Sequence, residues 1–160
     1  MLKLKCYLPI LVIFGFKTTF AQTTTTVSHF NKVIVSPHVQ VTFIQGDEES
    51  VTIERSTVSN HKINIDVKGK TLRIYLDGAK EITKNEAVYE DGHKLKRSIY
   101  RGTVVSAIVT YKTLDDLSVR GEETQVCKSL LKGDRFRLKI YGESQVFLDE
   151  VDLGELRTTI

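Results

Sequence analysis

The sequence predicts an all-β domain of stacked short strands, and three observations carry that prediction. Valine, isoleucine and threonine abound, while alanine stands only at Ala21, Ala79, Ala87 and Ala107. β-Branched side chains are stiff at χ1 and suit a pleated surface better than a helix. Apolar residues alternate with polar ones over short runs, the period of a half-buried strand. Finally, one phrase is written twice about twenty residues apart, GEETQV at Gly121–Val126 and GESQV at Gly142–Val146. No window carries a helical stripe.

The N-terminus comes first. Lys3 and Lys5 precede the apolar run Cys6–Phe16, and Thr19 and Ala21 flank Phe20 with small residues. That order predicts a secretory signal peptide over residues 1–21. The run falls well short of the roughly 20 apolar residues of a membrane anchor. Cys6 stands at its start and not at its end, which excludes a lipoprotein signal, and no transmembrane segment is expected after cleavage. Losing Lys3, Lys5 and Lys17 takes the formal charge from +3 to 3 − 3 = 0. A neutral chain lacks the basic footprint of a nucleic-acid binder. Cys6 leaves as well, so Cys127 has no partner for an internal disulfide and reads as a buried, inert thiol.

Residues 22–27, with the Thr23–Thr26 run, read as a flexible polar arm, and residues 28–160 as one domain. Alternation then marks the strands in order. Val39, Val41 and Phe43 share one face; Val51 and Ile53 follow, then Ile63, Ile65 and Val67, Leu72 and Ile74, Val105, Ala107 and Val109, and lastly Phe136, Leu138 and Ile140. Gly46-Asp47 ends one strand, Lys68-Gly69-Lys70 joins two as a hairpin, and Gly133-Asp134 precedes another. Residues 78–102 carry many charges and little periodicity. They read as a long charged loop with a short strand around Ser98–Tyr100.

The repeated phrase extends beyond its six letters. Leu117-Ser118-Val119 precedes Gly121 as Leu138-Lys139-Ile140 precedes Gly142, and a third start falls at Leu156–Ile160. Such a period suggests stacked turns of a solenoid in which like residues lie over like. Gly121 and Gly142 would then be structural turns where a corner needs a positive φ. Gln125 and Gln145 would form a stacked amide ladder. Two similar hairpins in a β-sandwich would reuse the same turn residues, and periodicity alone leaves both arrangements open.

The opening FNKVIVSPHVQVTFIQGDEESVTIE, the TLRIYL strand, and LDDLSVRGEETQV followed by LKIYGESQV resemble the bacterial GIN-domain family. That family is described as the head domain of auto-transporter adhesins and is common in exported proteins of Bacteroidetes-type bacteria. The resemblance implies a right-handed parallel β-helix, here with an N-terminal strand and hairpin region, and an envelope or extracellular location. The family usually continues through several more coils, so the expectation is a C-terminally truncated domain with an exposed apolar edge.

No catalytic constellation stands out. His29, His38, His61 and His93 are scattered, without metal-ligand spacing, and read as surface or strand-edge residues. Asp47-Glu48-Glu49 and Asp115-Asp116 read as solvated turns. The basic cluster Lys94, Lys96, Arg97 and Arg101, with Tyr100 inside it, is the candidate binding surface for an anionic envelope component or acidic glycan. Its simpler reading is a charged loop balanced by Glu86, Glu90 and Asp91. Glu122 and Glu143 would stack into an acidic ridge in the solenoid. Neither a cofactor nor a metal is implied.

The function expected is therefore an exported, non-enzymatic domain for adhesion, recognition or envelope structure, with extended glycans as the ligand class. It would lie in the periplasm, on the outer-membrane surface or outside the cell. The alternatives are a polysaccharide-degrading β-helix enzyme, which needs clustered carboxylates, and a ligand-free periplasmic structural protein.

Overall fold

The structure, a computed structural model, describes residues 22–160; the signal-peptide reading of residues 1–21 lies outside the described residues. Strands dominate, with one 3-10 turn at Asn60–Lys62 and no α-helix among the described residues. In chain order the strands are β1 (Thr23–Thr26), β2 (Lys32–Val35), β3 (Val39–Gln45), β4 (Ser50–Ser56), β5 (Ile63–Lys68), β6 (Thr71–Leu76) and β7 (Asn85–Glu90). They continue as β8 (His93–Ser98), β9 (Val105–Tyr111), β10 (Asp116–Gly121), β11 (Thr124–Cys127), β12 (Leu131–Gly142), β13 (Gln145–Leu148) and β14 (Val151–Thr159).

Twelve of these strands form two six-stranded mixed sheets, ordered β1-β4-β9-β3-β11-β13 and β14-β12-β10-β2-β6-β5. The middle of each sheet is parallel. β6, β2, β10, β12 and β14 run side by side in one, and β9, β3, β11 and β13 in the other. The chain passes from one sheet to the other in each tier, as β2 to β3, β10 to β11 and β12 to β13. β6 and β9 occupy the corresponding places in a further tier. Antiparallel β5, β4 and β1 cover the β6–β9 end, while β13 and β14 are edge strands at the other.

Period-two patterning explains the interior. Val39, Val41, Phe43, Val105, Ala107 and Val109 face inward from one sheet, and Val33, Val35, Leu72, Ile74, Leu117, Val119 and Phe136 from the other, forming one core. Each fully buried aliphatic or aromatic side chain contributes roughly 1.5–3 kcal/mol, so the core holds the sheets together without a disulfide. Cys127 is buried in it as expected. Burial pushes its thiol pKa up, partly offset by the Tyr111 hydroxyl 3.3 Å away.

Several expectations are corrected. The Thr23–Thr26 stretch is not a flexible arm but an edge strand: β1 pairs with Ser50–Ile53 of β4. Residues 78–102 are not a loop but an excursion built on a β-hairpin, β7 against β8, and the short strand expected around Ser98–Tyr100 is absent because β8 ends at Ser98. Gly133-Asp134 is no turn; it lies within the 12-residue β12. The third start is two residues out of register, since Leu156 pairs with Phe136 and Thr158 with Leu138.

The glutamine ladder is also absent. Gly121 lies beside Gly142, but the second phrase is one residue shorter, so Thr124 pairs with Gln145 and Gln125 with Val146. A one-residue slip turns a strand side chain to the opposite face. Gln125 consequently points inward and is fully buried, whereas Gln145 is exposed. The Gln125 amide accepts from the Val41 backbone N–H at 2.8 Å and donates to the Val39 carbonyl at 3.0 Å. It does for β3 what a neighbouring strand's peptide would do.

Candidate functional site

The β2-to-β3, β10-to-β11 and β12-to-β13 turns lie in one row, at Ser36-Pro37-His38, Gly121-Glu122-Glu123 and Gly142-Glu143-Ser144. In the remaining tier the chain makes no short turn; residues 77–104, including the hairpin, fill that position. The hairpin base rises beside the row of corners and leaves a cleft of about 690 Å³ between them.

Backbone chemistry makes the floor. Gly121 and Gly142 both adopt φ 107, a region that L side chains enter only with strain. A Cβ on Gly142 would meet the Gly121 carbonyl oxygen at 2.5 Å, and one on Gly121 would lie 3.0 Å from Pro37 Cα. Their lack of side chains keeps this floor low. Arg120 and Tyr141 stand immediately before the two glycines, with the guanidinium 4.8 Å from the ring centroid.

His38 fastens the opposite side. It is a non-glycine residue at φ 69, an unusual conformation held by its side chain. Its Nδ1 lies 2.7 Å from the Gly102 carbonyl, which can only accept, so Nδ1 carries the proton. In the neutral ring Nε2 then accepts from the Thr83 hydroxyl at 2.7 Å. Both partners belong to the hairpin base. Its ring also tilts against Tyr100, whose hydroxyl donates to the Asp77 carbonyl.

Two of the three acids lining the cleft are already engaged. Glu81 bridges Arg73 of β6 at 2.7 Å and Arg120 of β10 at 2.5 Å. Partial desolvation would raise its pKa, but the Arg73 hydrogen bond and the charges of Arg120, Arg73 and Lys80 outweigh this and hold it below the ordinary value. Glu123 is 6% exposed and accepts from the Glu122 N–H at 3.2 Å, with His38 Nδ1 3.8 Å from its other oxygen. Among the described residues no cluster of three His, Cys, Asp or Glu could hold a metal ion.

The structure divides the candidate surface chosen from the sequence. Tyr100, Arg101 and Glu122 line the cleft; Lys94, Lys96 and Arg97 lie out along β8, and Arg97 pairs with Glu90 at 3.3 Å. Glu143 follows Gly142 on the exposed side of the corner row, next to Glu122, and donates its N–H to the Gly121 carbonyl. Sequence reasoning misses His38, Glu81, Arg120, Glu123 and Tyr141. The reading of His38 as an unengaged surface residue fails, because its side chain is largely buried. The expected solvated turn at Asp47–Glu49 likewise fails at Glu49, which is buried and bonded to His29 at 2.9 Å.

The model of a family described as "Putative auto-transporter adhesin, head GIN domain" matches residues 29–160. A solved structure described as a "putative adhesin" from Bacteroides fragilis NCTC 9343 is similar at 17% identity and a TM-score of 0.66, covering 89% of this chain and 58% of that one. A second, so described, from Parabacteroides distasonis ATCC 8503, gives 25% identity and a TM-score of 0.62, covering 86% and 51%. From the same organism, a structure described as a "Putative lipid binding protein" gives 16% identity and a TM-score of 0.56, covering 86% and 61%. The chain thus spans a little over half the length of the structures it resembles. No curated protein matches it. No helix among the described residues is long and apolar enough to cross a membrane.

Proposed function

Since the chain belongs to the GIN-domain family of auto-transporter adhesin heads, we propose that it is an exported, non-enzymatic recognition domain of the cell envelope. Its tiers are read as turns of a right-handed parallel β-helix, a reading supported by the parallel pairing of β10 with β12 and of β11 with β13. The ligand class is an extended glycan of the surface or its surroundings.

One observation carries the recognition reading: the cleft at the row of corners. It is floored by glycine and lined by two tyrosines and two arginines. Aromatic faces offer apolar surface to sugar C–H groups, and guanidinium groups offer several donors in a plane. The strained His38 and the Glu81 bridge fix the walls, the kind of preorganisation that reduces the entropy lost on binding. Catalysis would instead need a carboxyl positioned to move a proton, whereas Glu81 is tied to two arginines, Glu123 is buried, and Glu122, the third acid of the lining, is exposed to solvent.

Binding to a glycan array by the full-length protein tests this. Tyr141→Ala removes the ring beneath Arg120 while leaving the Gly142 turn intact, and a loss of roughly tenfold in affinity is expected. Equal binding by both proteins would count against the cleft. Release of new reducing or unsaturated ends from any glycan, abolished by Glu81→Gln or Glu122→Gln, would move the protein into the enzyme class.

A further inference from the structure

We propose that one face of the β7–β8 hairpin is an anionic-polysaccharide track continuous with the cleft. The inference rests on the recognition reading above and adds the charge of the ligand and a second binding element. In the linear sequence the lysines of residues 78–102 look balanced by acids. Folding undoes that balance. Directly opposed residues of an antiparallel pair project to the same side. Asn85, Ala87 and Tyr89 therefore share a face with Ser98, Lys96 and Lys94, while Glu86, Val88 and Glu90 share the other with Arg97, Leu95 and His93. Both acids of the paired strands fall on the second face, where Arg97 meets Glu90. The first has two lysines and no acid.

A hairpin selected only for stability would set Lys94 and Lys96 opposite glutamates, since opposite charges across a pair stabilise it. They stand instead opposite Tyr89 and Ala87, and neither forms an ion pair among the described residues. The face is open: Tyr89 is 72% exposed, and the hairpin forms a sheet of its own that pairs with neither large sheet. Ser98 at the foot of this face also lines the cleft, next to Arg101. Lys94 and Lys96, two residues apart on a strand, place their charges about 6–7 Å apart along it. A ladder of cations beside an exposed ring suits a polymer with repeated carboxylates or sulfates. An anionic bilayer suits it less, because the hairpin tip that would enter the headgroups carries Glu90 and Asp91.

The test is titration of the full-length protein with polygalacturonate at low salt, with neutral dextran and anionic phosphatidylglycerol vesicles as parallel probes. Polygalacturonate should bind, and Lys94→Glu with Lys96→Glu should weaken it roughly tenfold. The milder Lys94→Gln with Lys96→Gln, which leaves the strand pairing undisturbed, should weaken it about threefold. Lys68→Glu with Lys70→Glu, the same charge change in the exposed β5–β6 turn, should have little effect. Equal loss from that control pair would reduce the interaction to net charge and overturn the proposal. So would vesicle binding without polygalacturonate binding, or no binding to any anionic polymer. Polygalacturonate binding that survives the hairpin changes but is lost in Tyr141→Ala would overturn the track while leaving the cleft reading in place.

Discussion

At Gly142 two constraints coincide: a φ of 107 and a Cβ position 2.5 Å from the Gly121 carbonyl oxygen. Gly142→Val should therefore destabilise the protein by on the order of 1–2 kcal/mol or more, read as a lowered melting midpoint; an unchanged midpoint would mean the corner tolerates a side chain. Gln125 presents the opposite situation, a polar side chain fully buried because it serves backbone groups. Gln125→Ala leaves the Val41 N–H and the Val39 carbonyl without that partner, and each such group costs about 1–3 kcal/mol. Denaturant unfolding should show the combined loss, and retained stability would mean that water replaces the amide. The glycines are legible in the sequence because a glycine recurring at the same place after a strand marks a corner that only glycine fits. The role of Gln125 is not, because a single missing residue in the second phrase sets Gln145 on the opposite face, so the two like glutamines do opposite things.

The hairpin is the element that the sequence conceals most completely. Its strands alternate, but with charged and polar residues on both faces, so no apolar period marks them. Hydrophobic patterning detects burial, and this element is scarcely buried. The core strands are legible for the same reason: β3, β6 and β9 bury every second residue. At the hairpin base, Glu81 joins β6 and β10 through Arg73 and Arg120. Its folded pKa lies below the ordinary 4.5, so the unfolded form takes up its proton first as the pH falls. The stability it contributes is present above pH 4.5 and is lost as the pH drops through the lower folded value. Relative to the intrinsic amide rate, which itself falls with pH, hydrogen exchange at Lys84 and Ile99, whose backbone groups close the hairpin base, should accelerate over that acid range. Glu81→Gln should remove the acceleration; a pH dependence surviving this change would assign it to another group.

At the scale of the molecule, two sheets carry parallel ladders and the tiers share a corner. A repeat of 21 residues from β10 to β12 sets Gly121 over Gly142 and Arg137 within 3.1 Å of Asp116. The repeated phrase in the sequence is the visible trace of this arrangement. The cleft is not visible there, because its parts come from five distant stretches that meet only when the corners align: Pro37-His38, Glu81–Thr83, Tyr100–Gly102, Arg120–Glu123 and Tyr141-Gly142. What the molecule offers its surroundings is that row of corners and the hairpin beside it, and the proposed recognition role requires both to lie outside the cell. Trypsin treatment of intact native cells, followed by blotting, tests this most directly, since Lys94, Lys96 and Arg97 lie on an isolated two-stranded sheet of the kind that opens readily. Cleavage within the hairpin on unlysed cells is the expected result. Protection until the outer membrane is permeabilised, with cleavage only then, would place the domain in the periplasm and contradict a surface role.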